Sequence, residues 1–159
     1  MGLEIERKFL IKNNNWRNHA DDGCACRQGY LVGPGISSVR VRIQGDTANL
    51  NIKSGHPGVR RQEYEYVIPL AEAEELLQTL CEQPIIEKTR YIVPAGGHRW
   101  EIDVFAGDNQ GLQVAEIELS SEDEAFECPD WLGEEVSEQP RYYNIYLSAQ
   151  PFKSWPENR

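Results

Sequence analysis

Side chains along an extended strand point alternately to two faces, so regular alternation of apolar with polar residues marks a half-buried strand. That alternation runs through Leu3–Ile11, Cys26–Val32, Ser38–Gln44, Thr47–Lys53, Arg61–Ile68, Ile86–Val93, Arg99–Phe105 and Gln113–Leu119. These eight stretches are rich in Val, Ile, Tyr and Arg, and Gly, Pro, Asn or Asp separates most of them. Gly45-Asp46 leaves a hairpin-sized gap between the third and fourth, and residues 54–58 and Gly96-Gly97 are further breaks. Helical spacing is rarer. Residues 69–80 predict a helix with Ala73, Leu76, Leu77 and Leu80 as its apolar stripe. Ser121-Glu122-Asp123-Glu124 predicts the capped, acidic first turn of a short helix, and 142–149 a terminal helix. The tail from Pro151 to Arg159 is expected to fray.

The residues opposite the apolar face carry the information. Glu4, Glu6 and Lys8 share one face of the first strand, and Arg40 with Arg42 one face of the third. Lys53 stands in the fourth; Arg61, Glu63 and Glu65 align in the fifth, and Lys88 with Arg90 in the sixth. The seventh aligns Glu101 with Asp103, and the eighth Glu116 with Glu118. An antiparallel sheet with one wet face explains any single strand of this kind. It does not explain seven strands whose polar faces are dominated by long charged residues, several of one sign only.

Closure of eight antiparallel strands into a barrel with the charged faces inward does explain them. The apolar faces then point outward and need covering by short helices such as 70–80. Crowded carboxylates repel and take up protons unless a cation neutralises them, and oxygen-rich sites of that kind suit Mg2+ or Mn2+. The bases suit an incoming polyanion, with Arg matched to phosphate oxygens. The chemistry expected is metal-assisted phosphoryl transfer from a linear polyphosphate.

Composition narrows the picture further. The 159 residues fit one domain spanning 1–159. A net charge of −10 argues against a nucleic acid duplex as partner. No apolar run is long enough for a membrane span, and MGLEIERKFL is too charged for a signal peptide, so a cytoplasmic enzyme without membrane contact is expected. Cys24, Cys26, Cys81 and Cys128 lack zinc-site spacing and read as reduced thiols. No P-loop motif is present, and His19, His56 and His98 lie near breaks and read as exposed. Trp16 and Trp100 read as packing residues rather than ring-stacking platforms.

Glu4-Ile5-Glu6-Arg7-Lys8 resembles the E-x-E-x-K signature of the CYTH superfamily, the triphosphate tunnel metalloenzymes. Its companions follow in order: Arg40-Val41-Arg42, Lys53, Glu63-Tyr64-Glu65, Glu87 to Tyr91, Trp100 to Asp103, and Glu116-Ile117-Glu118. The resemblance implies an eight-stranded antiparallel tunnel that binds triphosphate with a divalent metal. It implies Glu4, Glu6, Glu116 and Glu118 as metal ligands, with Glu63 and Glu65 assisting in metal or water placement; the strand pattern adds Asp103. It implies Lys8, Arg40, Arg42, Lys53, Lys88 and Arg90 as phosphate-binding residues, with Arg61 added by the strand pattern and Lys88 also expected in catalysis. Tyr30 resembles a position proposed as a proton acceptor in compact relatives, and a hydrogen-bond donor to phosphate is the alternative role. Compact relatives often read Tyr-Lys-Asn where this chain has Tyr142-Tyr143-Asn144, which removes the lysine from any contact between that helix and the lumen anion.

The function expected is hydrolysis of inorganic tripolyphosphate to pyrophosphate and phosphate. The alternatives are a thiamine or nucleoside triphosphatase, a class IV adenylate cyclase, and a polyphosphate-binding module without turnover. Intact acidic pairs at 4/6, 63/65 and 116/118 favour an enzyme. Outward-facing tyrosines offer a surface for a homodimer.

Overall fold

A computed structural model describes residues 2–158. Nine strands form one sheet: β1 (Leu3–Ile11), β2 (Cys24–Val32), β3 (Ser37–Gln44), β4 (Thr47–Ser54), β5 (Arg60–Val67), β6 (Ile86–Ala95), β7 (His98–Phe105), β8 (Gln113–Glu118) and β9 (Leu132–Glu135). Their spatial order is β5-β4-β3-β2-β6-β7-β8-β1-β9, all antiparallel, and β5 pairs back onto β1 through Leu3↔Gln62, Glu4↔Arg61 and Ile5↔Arg60. That last pairing closes an eight-stranded barrel and leaves β9 as an extra strand on β1. The eight expected strands are all present, within two residues at each end.

Two tight hairpins set the register. Gly45 at φ +62° opens the two-residue turn between β3 and β4, the first central position of a type II′ turn. Gly96 and Gly97, at φ +60° and +79°, give the β6–β7 hairpin the paired positive φ of a type I′ turn. Because the side-chain period is two, a one-residue slip would turn every lumen charge outward.

The outward apolar faces are covered in two ways. Helix α1 (Leu70–Thr79) lays Ala73 and Leu77 over Val41, Ile43 and Ala48 of β3 and β4. Irregular chain does the rest: Trp16, Phe126 and Trp131 pack with Ile5, Phe9, Trp100 and Ile117. Trp100 meets Phe9, Phe126 and Trp131 edge to face, with centroids 5.4–5.9 Å apart. Trp16 and Trp100 are thus fully buried outside the lumen.

Helix α2 (Asn144–Ala149) lies elsewhere. Leu147, Tyr142 and Trp155 pack on Ile86, Phe105 and Val114, which belong to the inward-facing rows of their strands, so the C-terminal segment closes one end of the barrel. Helix α1 covers the outside as expected, whereas α2 is an end wall. Two expectations fail. Residues 121–124 form a turn, not a helix, because Glu124 folds back to accept from the Ser120 N–H at 2.6 Å and to pair with His98 at 2.6 Å. The tail is packed rather than frayed through Asn158, with Arg159 outside the described residues: Trp155 is buried, donates from Nε1 to the Gln150 carbonyl at 3.0 Å and lies 3.8 Å beneath the Arg141 guanidinium. His19 and His56 are exposed as expected, whereas His98 is half-buried through that pairing. All four cysteines are free thiols.

Candidate active site

The inward rows change character with depth. Glu4, Glu6, Lys8 and Leu10 succeed one another along β1, while Glu118, Glu116 and Val114 run beside them on β8. On β7 the row reads Glu101, Asp103, Phe105, and on β6 Arg90, Lys88, Ile86. Acidic groups therefore stand at the open end, bases in the middle, and apolar side chains where α2 closes the barrel.

One cavity of about 190 Å3 gathers nearly the whole predicted site: Glu4, Glu6, Lys8, Tyr30, Arg40, Arg42, Lys53, Arg61, Glu63, Glu65, Lys88, Arg90, Glu116 and Glu118 line it together. Asp103 does not line it. It is 1% exposed, takes Nε and Nη2 of Arg90 on its two oxygens at 2.8 and 2.9 Å, and pairs with Lys88 Nζ at 2.9 Å. Both cations hold its carboxyl down to about 2 against the opposing effect of burial. Strand parity was right about its face, but depth places it among the bases, where both its oxygens are taken.

The lining also includes Ser38, Glu101, Tyr143, Asn144 and Ile145. Glu101 was legible from strand alternation and pairs with Arg90 at 3.1 Å. Asn144 accepts from Lys88 Nζ at 3.1 Å. Residues 143–145 enter because α2 is an end wall, which strand periodicity does not reveal.

Electrostatics divides the bases into two groups. Arg90, Lys88 and Lys53 are engaged with carboxylates: Lys53 Nζ sits 3.2 Å from Glu4 and 3.4 Å from Glu63, and Arg90 Nη2 is 3.3 Å from Glu116. Arg42 approaches Glu65 only at 3.8 Å, while burial and the nearby Arg40 and Arg90 lower its pKa. Burial likewise lowers Lys88, against the pull of Asp103. Lys8, Arg40 and Arg61 form no ion pair with a described carboxylate, and the buried Nε of Arg40 has no hydrogen-bond partner. Lys8 and Arg40 are buried, and buried cations without an ion pair are costly, so an anion in the cavity relieves that cost.

The carboxylates meet in pairs. Glu6 stands against Glu116, and Glu4 against Glu63, close enough for each carboxylate to act on the titration of the other. Burial, reinforced by Glu116, pushes Glu6 well above the usual carboxylate range. Burial opposes ionisation of Glu116 too, but Lys8, the adjoining Glu6 and Arg90 hold it well below that range. Glu4 is raised by burial despite Lys53. Glu63 resists burial through Lys53 and falls. Carboxylates in contact must share a proton or a cation. Among the described residues, no three His, Cys, Asp or Glu side chains form a ready-made metal cage. Even so, carboxylates gathered in pairs around one cavity suit a hard divalent ion that would displace the protons they otherwise share.

A closed antiparallel barrel whose lumen gathers carboxylates and cationic side chains defines a charged-tunnel protein. The CYTH domain model matches residues 2–147, and the chain belongs to the CYTH family. It is 46% identical over 157 residues to an inorganic triphosphatase of Acetivibrio thermocellus, covering 99% of this chain and 100% of that protein. Another inorganic triphosphatase, from Nitrosomonas europaea, is 43% identical over 151 residues, or 91% of this chain and 96% of the relative. The crystal structure of the inorganic triphosphatase NE1496 superposes with a TM-score of 0.67 at 39% identity, covering 91% of this chain and 93% of that one. Among the described residues no helix is long and apolar enough to cross a membrane.

Proposed function

We propose that this chain is an inorganic triphosphatase, hydrolysing tripolyphosphate to pyrophosphate and phosphate. The observation that carries the reading is the meeting, in one cavity, of paired carboxylates with three cations that lack carboxylate partners. Lys8, Arg40 and Arg61 bind the phosphate chain as charge-assisted donors, and Arg42, Lys53, Lys88 and Arg90 line the same channel. Glu4, Glu6, Glu116 and Glu118 hold a divalent cation, Mg2+ or Mn2+, with Glu63 and Glu65 beside them to orient that ion or the attacking water. When bound, the cation neutralises charge that develops on the phosphoryl oxygens. Asp103 acts as a positioning residue for Lys88 and Arg90. Tyr30, buried opposite Arg40 in the β2–β3 ladder, donates a hydrogen bond to phosphate or accepts a proton from water.

The burial of Trp16 and Trp100 outside the lumen favours the inorganic substrate, since neither can stack a thiazole or adenine ring. The open mouth is lined by Leu3, Glu4, Glu63, Glu65 and Glu118, without an aromatic ring. We further propose a cytoplasmic location, consistent with four free thiols, and a homodimer through the exposed Leu3, Tyr64 and Tyr66. Phosphate release from tripolyphosphate, thiamine triphosphate and ATP, each with Mg2+, Mn2+ or chelator, tests the function. Tripolyphosphate is expected to be preferred, with turnover lost in chelator and at least about 100-fold lower in Glu4→Gln. Preference for an organic substrate, or wild-type rates in that variant, would overturn the assignment.

A further inference from the structure

The barrel wall is split at one place. β1 pairs with β5 only through Leu3, Glu4 and Ile5, and from Phe9 onward its neighbour on that side is β9. Between them the Glu6 N–H donates to the Val59 carbonyl at 2.9 Å and the Lys8 N–H to Ser137 Oγ at 2.9 Å. Tyr143 fills the gap. Its hydroxyl accepts from the Gly58 N–H at 3.0 Å and donates to the Ser137 carbonyl, so the phenol ties the two lips of the split together. The ring, 7% exposed, is fixed at its far end and faces the cavity.

Two cations lie against that ring. Lys8 Nζ is 5.2 Å and the Arg61 guanidinium carbon 5.0 Å from its centroid, both within cation–π range. These belong to the three lumen bases without a carboxylate partner. Flexible cations beside Glu6 and Glu116 would be expected to swing onto them. A carboxylate at position 143 would hold Lys8 and Arg61 but cancel the charge a polyanion needs; a ring attracts them through its quadrupole and leaves both charges whole.

We propose that Tyr143 is a positioning residue that holds Lys8 and Arg61 poised, and still fully charged, for the phosphate chain. The inference rests on the reading of the cavity as a triphosphate site. Two roles sit on different parts of one side chain: the hydroxyl closes the split, and the ring presents the cations.

The decisive comparison is between Tyr143→Phe and Tyr143→pentafluorophenylalanine, which are close in shape but opposite in ring electrostatics. Tripolyphosphate affinity is measured by calorimetry in chelator, and KM and kcat are measured with Mg2+. The phenylalanine variant is expected to stay within about threefold of wild type in affinity and KM, with a lower Tm from the lost hydroxyl bonds. The fluorinated variant is expected to match that Tm but bind about tenfold more weakly and raise KM to match, with kcat within about twofold. In a Lys8→Ala background the difference between the two is expected to shrink. Equal affinity and KM in the two variants, with wild type binding normally, would overturn the positioning role alone. Failure of wild type to bind tripolyphosphate at all would overturn the substrate reading and this inference with it.

Discussion

At the scale of single residues, the site works by leaving some charges paired and others free. Arg90 and Lys88 are held by Asp103, so their heads cannot wander, whereas Lys8, Arg40 and Arg61 keep their charge for a ligand. Asp103 also couples this arrangement to pH. Its carboxyl titrates at about 2 in the fold against an ordinary 3.8, a depressed value, so its stabilising contribution is complete above the ordinary value and is lost as pH falls toward 2. That difference corresponds to ~2 kcal/mol. Denaturant unfolding at pH 6 and at pH 3 is expected to show a smaller acid-induced loss for Asp103→Asn than for wild type. The variant should also be less stable at pH 6 by about 3–5 kcal/mol, because buried Lys88 loses its ion-pair partner and Arg90 one of three. Equal acid sensitivity of variant and wild type would remove this role.

At the scale of elements, the barrel needs cover on its outer face, and each cover is specific. Helix α1 owes its position to Ala73 and Leu77, which are nearly inaccessible against Val41 and Ile43. Leu77→Ala leaves a cavity there and is expected to cost about 2–5 kcal/mol by chemical denaturation. The inward faces of β3 and β4 keep their register through the Gly45 turn, so KM for tripolyphosphate is expected to stay unchanged below the unfolding transition. A large change in KM would mean that α1 helps shape the lumen. The strands themselves were legible because alternation is a local property that a half-buried strand must show, and parity named the charged lumen-facing residues, while Tyr30 came from the family resemblance. Residues 121–124 illustrate the reverse. Their acidic, serine-capped start has the composition of a helix N-terminus, but the Glu124 carboxylate finds partners in Ser120 and His98 that a helix would deny it.

At the scale of the whole molecule, the tunnel has a direction. Acidic groups line the open end, and the apolar cluster around Leu147, Tyr142 and Trp155 shuts the other. On the proposed reading a linear phosphate chain would enter end-on, with its terminal phosphate reaching the bases beyond the carboxylates. Cyclic trimetaphosphate carries three phosphates but has no free end, and is expected to be turned over at least about 100-fold more slowly than linear tripolyphosphate, followed by phosphorus NMR. A difference of 1.4 kcal/mol already gives a factor of ten, so losing two good phosphate contacts suffices. Comparable rates on the ring would show that the far end is open.

The sequence alone determined the strands, the side of each strand on which charge lies, and the two signs of charge that must share an enclosed space. These follow from a period of two and from the cost of unpaired charge, neither of which depends on long-range order. Only the tertiary structure decided depth along the tunnel. Glu101 and Asp103 have the same parity, yet one lines the cavity and the other is locked behind it, because strand tilt and the register of β6 on β7 set how far each residue reaches down the barrel. The structure also placed Tyr143 and Asn144. They approach the lumen from the start of α2, Tyr143 just before it and Asn144 as its first residue, and no local pattern records which end of a barrel a later segment will fill.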